Sequence, residues 1–180
     1  MKLPFITIGE YCQLTNEERK DYDFAIRYSE QAEAKDILLF GDITKKTFGE
    51  VKDWQQLFSD KESFVKFLTM FDEKLLTLDV FSFFAFYRYV ESEVVRVSEI
   101  EQKLLSHEPT ADEVAAGIDR FNKFGVAIQI DNLAKGDLLK WEAIKNLPYE
   151  HCLLKLVMDK TANDFTRDYQ ELMLKKQKNG

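Results

Sequence analysis

The sequence predicts an all-α protein, a single irregular bundle of about six or seven helices around a long central one. Three observations predict it. A Thr-x-x-Glu capping box occurs at Thr7, Thr15, Thr47 and Thr110, each ahead of an apolar-periodic segment. The run Val80 to Val90 carries Phe81, Phe83, Phe84, Phe86, Tyr87 and Tyr89 with no Gly, Pro or Asn to break it. Finally, 15 Phe stand against only 7 Gly and 3 Pro in 180 residues, too few turn formers for a sandwich or barrel of many tight hairpins.

Taken in order, Thr7-x-x-Glu10 opens a short first helix. Thr15-x-x-Glu18 opens a second, to about Ala32, with Tyr22, Ala25, Ile26 and Tyr28 among its apolar positions. Ile37 to Phe40 before Gly41-Asp42 reads as a short extended segment and turn, and a minor hairpin with Phe5-Ile6 would not change the class. Thr47-x-x-Glu50 opens a third helix across Val51, Trp54, Leu57 and Phe58, and Asp60 caps a fourth across Phe64, Phe67, Leu68 and Phe71. A fifth begins at Thr77 or Asp79 and runs to Ser106, roughly 40 Å.

Thr110-x-x-Glu113 restarts the helix through Val114, Ile118, Phe121 and Ile128, with Gly125 weakening it and Gly136 placed as its C′ residue. A short helix over Trp141 to Asn146 follows. Pro148 suits position N1 of a last helix reaching Lys176, whose stripe is Leu153, Leu156, Val157, Phe165, Tyr169 and Leu172, with Thr161 to Asn163 its weak point. The chain thus divides into segments 1–76, 77–136 and 137–180 of one domain. Gly41-Asp42-Ile43-Thr44-Lys45 and Gly136-Asp137-Leu138-Leu139-Lys140 are faintly alike, which capping chemistry explains without duplication.

At about 100° per residue the aromatic run covers the whole circumference of its helix, and a helix apolar all round must be surrounded. Either it is the centre of the core, with Phe84 and Tyr87 as core residues, or part of it leaves the fold to bind another chain. Beyond the run a single stripe continues through Val90, Val94, Val97 and Leu104. Glu91, Glu93, Glu99 and Glu101 read as a solvated face.

The formal net charge of −7 opposes sequence-independent binding of nucleic acid, and the Lys175-Lys176-Gln177-Lys178 cluster fits the end of a helix, where cations complement the dipole. No apolar stretch is long enough to span a bilayer. With two cysteines and no leader-like N-terminal segment, the expected location is the cytoplasm, or host cytoplasm and virion if a phage encodes the chain.

Chemistry has few candidates, so the predicted catalytic, cofactor and metal sets are all empty. His107, in Ser106-His107-Glu108-Pro109, reads as a solvated connector residue. His151 and Cys152 are neighbours on a helix and point about 100° apart, which places Cys152 in the apolar stripe and His151 outside it. The two His and two Cys lack any zinc-binding spacing, and Leu38 to Asp42 lacks the glycines of a phosphate loop.

Contact residues are better represented. Trp141 stands in the polar setting Leu139-Lys140-Trp141-Glu142, just before Leu147-Pro148-Tyr149; Trp141 and Tyr149 serve either as anchors for a partner or as a clasp folded over the last helix. Phe165 and Tyr169 complete the candidate partner-binding set on that helix. A contrasting reading is an enzyme or small-ligand binder with an apolar cavity lined by Phe83, Phe84, Tyr87 and Phe121, and a third is a cytosolic regulatory helical domain.

The series Ala134-Lys135-Gly136-Asp137, Leu139-Lys140-Trp141-Glu142, Leu147-Pro148-Tyr149 and a charged helix ending Tyr169-Gln170-Glu171-Leu172 resembles small acidic helical proteins of tailed-bacteriophage structural clusters, including tail assembly chaperones. The resemblance covers the last fifty or so residues and brings no catalytic residue with it. It implies a non-enzymatic protein that binds a tail or virion component, or itself, during assembly.

Overall fold

The fold is all-α, and the computed structural model describes residues 3–27, 40–59, 67 and 76–178. Its helices are α1 (Ile8–Gln13), α2 (Asn16–Arg27), α3 (Phe48–Ser59), α4 (Val80–Leu105), α5 (Ala111–Ala115), α6 (Val126–Ala134), α7 (Trp141–Lys145) and α8 (Tyr149–Lys178). Short 3-10 turns cover Ile43–Lys45, Ile118–Phe124 and Leu138–Lys140. The end of the predicted second helix, the fourth helix apart from Phe67, and Ile37 to Leu39 of the predicted hairpin lie outside the described residues. The chain forms two compact units, one of residues 1–43 and 53–96, the other of 44–52 and 97–180.

In the first unit the aromatic run is surrounded. Tyr11 meets Phe84 edge-on at 5.6 Å, Tyr22 lies against Phe81, and Phe40 packs on Trp54 and Tyr89. Phe67 sits at the centre, with Trp54, Phe83, Phe86 and Tyr87 within 5.0–5.9 Å. Edge-to-face pairs of this kind add about 0.5–1.5 kcal/mol each beyond the area they bury. The depth within the run differs from expectation. Phe83 and Phe86 are fully buried, whereas Phe84 and Tyr87 are half-buried.

The second unit holds Val97, which with Val90 and Val94 makes a buried stripe along α4. The single helix predicted from Thr110 to Gly136 is broken in two. Gly117 and Gly125 adopt φ of 81° and 49°, a region that favours glycine, so α5 ends, a 3-10 turn intervenes, and α6 starts afresh. At the far end Lys135 (φ 55°) takes the C′ position one residue ahead of Gly136, which is itself left-handed (φ 76°). Gly136 N–H reaches Asp131 O and Lys135 N–H reaches Asn132 O, the paired bonds of a Schellman ending. Pro148 falls one position before its predicted place: its carbonyl accepts from Cys152 N–H, which makes it the N-cap.

Each unit contains the same device, in which two helix N-termini satisfy one another. In the first unit Ile8 N–H donates to Leu78 O (2.9 Å) and Val80 N–H to Ile6 O (3.0 Å), bridging the N-caps Thr7 and Asp79. In the second, Phe48 N–H donates to Leu147 O (2.8 Å) and Tyr149 N–H to Lys46 O (3.0 Å), bridging Thr47 and Pro148. One partner of each pair is Thr-Ile-Gly-Glu or Thr-Phe-Gly-Glu. A Cβ on Gly9 would stand 3.3 Å from Leu76 O, and one on Gly49 would stand 3.2 Å from Lys145 O, so in both cases glycine permits the approach of the other backbone. This recurrence, at residues 7–10 and 47–50, is distinct from the faint likeness near Gly41 and Gly136.

Candidate functional site: the outer face of the C-terminal helix

The last helix divides into two faces as far as Arg167. Tyr149 and Cys152 are buried, and Leu153, Leu156, Val157, Lys160 and Arg167 are half-buried on the same side. Opposite them Leu154, Met158, Phe165, Tyr169 and Leu172 are 49–70% exposed. At about 100° per residue these five fall within roughly 40° of Phe165, while Tyr149, Leu156 and Arg167 lie about 160–180° away. The expected single stripe is therefore two. Leu153, Leu156 and Val157 belong to the packed face, and Phe165, Tyr169 and Leu172 to an open one.

Several features keep the open stripe helical and presented. The Phe165 and Tyr169 rings stack at 6.2 Å with planes 20° apart, one turn from each other. Lys155 pairs with Asp159 on a flank of the stripe, and Asp164 takes Lys160 (2.7 Å) and Arg167 (3.0 Å) on the packed side, all at helical spacing. The expected weak point does not interrupt the helix; Thr161 Oγ1 and Thr166 Oγ1 donate back to Val157 O and Ala162 O at 2.8 Å each. From Asp168 through Gln177 every residue is exposed.

The other two aromatic candidates are used by the fold. Tyr149, predicted as a contact residue, is 2% exposed, stacks on Phe48 and donates its hydroxyl to Glu101 Oε1 at 2.8 Å. Glu101 also takes a 2.5 Å bond from Lys52 Nζ, so it is not part of a solvated face. Burial pulls the Lys52 ammonium below its usual range, and the Glu101 charge offsets part of that. Trp141 is half-buried, and its indole N–H reaches Asp131 Oδ1 of α6 at 3.3 Å, tying α7 to α6.

Catalytic chemistry finds little to assemble. His107 Nε2 lies 3.0 Å from the Glu113 carboxylate, beside a cleft of about 730 Å³ that also touches Lys160, Asp164 and Arg167. Lys160, Asp164 and Arg167 are already paired with one another. His151 is exposed and Cys152 buried, on separate faces as expected, and burial pushes the Cys152 thiol up. Among the described residues no three His, Cys, Asp or Glu side chains are grouped to hold a metal ion, and no helix is long and apolar enough to cross a membrane. Of the residues proposed for an apolar cavity, Phe83, Phe84 and Tyr87 belong to the first unit and Phe121, exposed, to the second.

No protein-family model, no curated protein and no solved structure matches the chain.

Proposed function

We propose that this protein acts without catalysis, by binding another protein chain through the outer stripe of α8, and that it does so in the assembly of a tailed phage or related mobile element. The observation that carries the reading is the stripe of Leu154, Met158, Phe165, Tyr169 and Leu172, exposed on one side of a helix whose opposite side is packed as far as Arg167. A narrow apolar seam of this width fits a partner helix better than a small molecule. The phage setting rests on the resemblance of the last fifty or so residues, from Ala134 onward, to tail assembly chaperones.

The experiment pairs the double variant Phe165→Asp, Tyr169→Asp with the wild-type chain as tagged baits in cells carrying the neighbouring genes. Both substituted positions are exposed, so the variant should melt as the wild type does and lose its bound protein. A variant that retains all of its partners overturns the interface. A wild-type bait that holds partners through the stripe, none of them a virion or tail protein, overturns the setting alone.

A further inference from the structure

We infer that the occupant of the outer stripe is a second copy of this chain, its α8 lying antiparallel to the first; the inference rests on the interface reading above and names its partner. Phe165, Tyr169, Leu172 and Lys176 follow one another at spacings of four, three and four, the pattern of a two-helix seam in which each side chain fits between four of the facing helix. Asp168 and Lys175 both precede a seam residue, so they lie on one flank, seven residues apart.

Orientation follows from charge. In an antiparallel pair like flanks face each other, and setting Asp168 against Lys175 of the second copy makes two symmetric ion pairs at once. Both side chains are available, being 71% and 74% exposed and holding their own neighbours Arg167 and Glu171 only at 3.5 and 3.9 Å. The same register places Tyr169 on Leu172 of the second copy, and Phe165 under its Lys176, where a ring face receives an ammonium. A parallel pair would instead press Lys176 against Lys176 inside the seam and align the two helix dipoles.

The area is modest. With aromatic side chains presenting about 150–250 Å² when bare, the exposed parts of Phe165, Tyr169, Leu172 and Met173 sum to on the order of 400 Å² per chain, half of what a standard stable interface buries. The dimer should therefore dissociate on dilution.

Sedimentation equilibrium of the full chain, over roughly 5 to 300 µM, reads this directly. The expected result is a monomer–dimer equilibrium within that range, weakened at least about tenfold by Phe165→Asp with Tyr169→Asp at an unchanged melting temperature. Asp168→Lys and Lys175→Asp should each weaken it, and the two together should restore it. A chain monomeric throughout overturns the second copy, and the interface reading survives if the stripe variant still loses another partner. Self-association and partner capture both indifferent to the stripe overturn the two readings together. A dimer that the paired charge reversal fails to restore overturns the antiparallel register.

Discussion

Lys52 Nζ and Glu101 Oε2, forty-nine residues apart in the chain, meet at 2.5 Å with both side chains nearly withdrawn from water. Tyr149 completes the group from α8 through the other Glu101 oxygen. Removing one member should be worse than removing two. Glu101→Leu takes the bonded carboxylate away from a buried ammonium and should cost about 3–5 kcal/mol, whereas Lys52→Met with Glu101→Leu should recover most of that loss. Denaturant titration of the three proteins checks the order; a double variant no more stable than Glu101→Leu would refute it.

Gly49→Ala tests the close approach at the second unit's paired helix starts. On an open helix surface alanine would gain about 1 kcal/mol over glycine. Here the new Cβ meets Lys145 Cβ at 3.1 Å and Lys145 O at 3.2 Å, so backbone must give way. A net loss of about 1–3 kcal/mol is expected from overpacking. A stabilised Gly49→Ala, measured by thermal or chemical unfolding, would show that the approach yields freely.

Acid should remove the capping boxes. The Thr47 backbone N–H, then its hydroxyl, hold the Glu50 carboxyl below its ordinary value of 4.5. A carboxyl depressed in the folded state binds its proton more readily in the unfolded chain. Its contribution is complete above about pH 4.5 and is lost as the pH falls through the lower folded value. The stability difference between wild type and Glu50→Gln should be flat from about pH 5 upward and shrink below about pH 4. A difference that grows on acidification contradicts the arrangement.

Trp141→Ala should act on stability. The indole is half-buried and bonded to Asp131, so its loss should lower the melting temperature by several degrees, with binding falling only as far as the folded fraction does. Calorimetry beside a binding assay separates the two; intact stability with lost binding would return Trp141 to the interface.

The thiols should differ in rate. Cys12 is exposed, while Cys152 is buried with its pKa raised, so a thiol reagent at neutral pH should modify Cys12 promptly and Cys152 only as the protein opens. Equal rates in the native protein would contradict the burial.

The helix starts were legible because a threonine three residues ahead of a glutamate encodes its own hydrogen bonds, and Thr7, Thr47 and Thr110 all make them. The breaks at Gly117 and Gly125 were harder, since a lone glycine is tolerated inside a helix and only tertiary context sets its φ positive. Glu101 carried a signal that chemistry concealed: it follows Val94 by seven and Val97 by four, and so lies on the buried stripe, but a carboxylate there is legible only once Lys52 and Tyr149 are known to face it. The outer stripe was half legible. Phe165, Tyr169 and Leu172 stood out by spacing, yet nothing local says which of two apolar faces the rest of the unit covers.

The paired helix starts bear on how the chain is made. Lys46 and Phe48 leave the ribosome about a hundred residues before Leu147 and Tyr149, the residues whose backbone closes the pair. The first unit waits likewise for Leu78 and Val80 to reach Ile6 and Ile8. Each unit is thus closed by its last-synthesised partner, a long-range contact that slows folding and withholds the finished structure from the nascent chain.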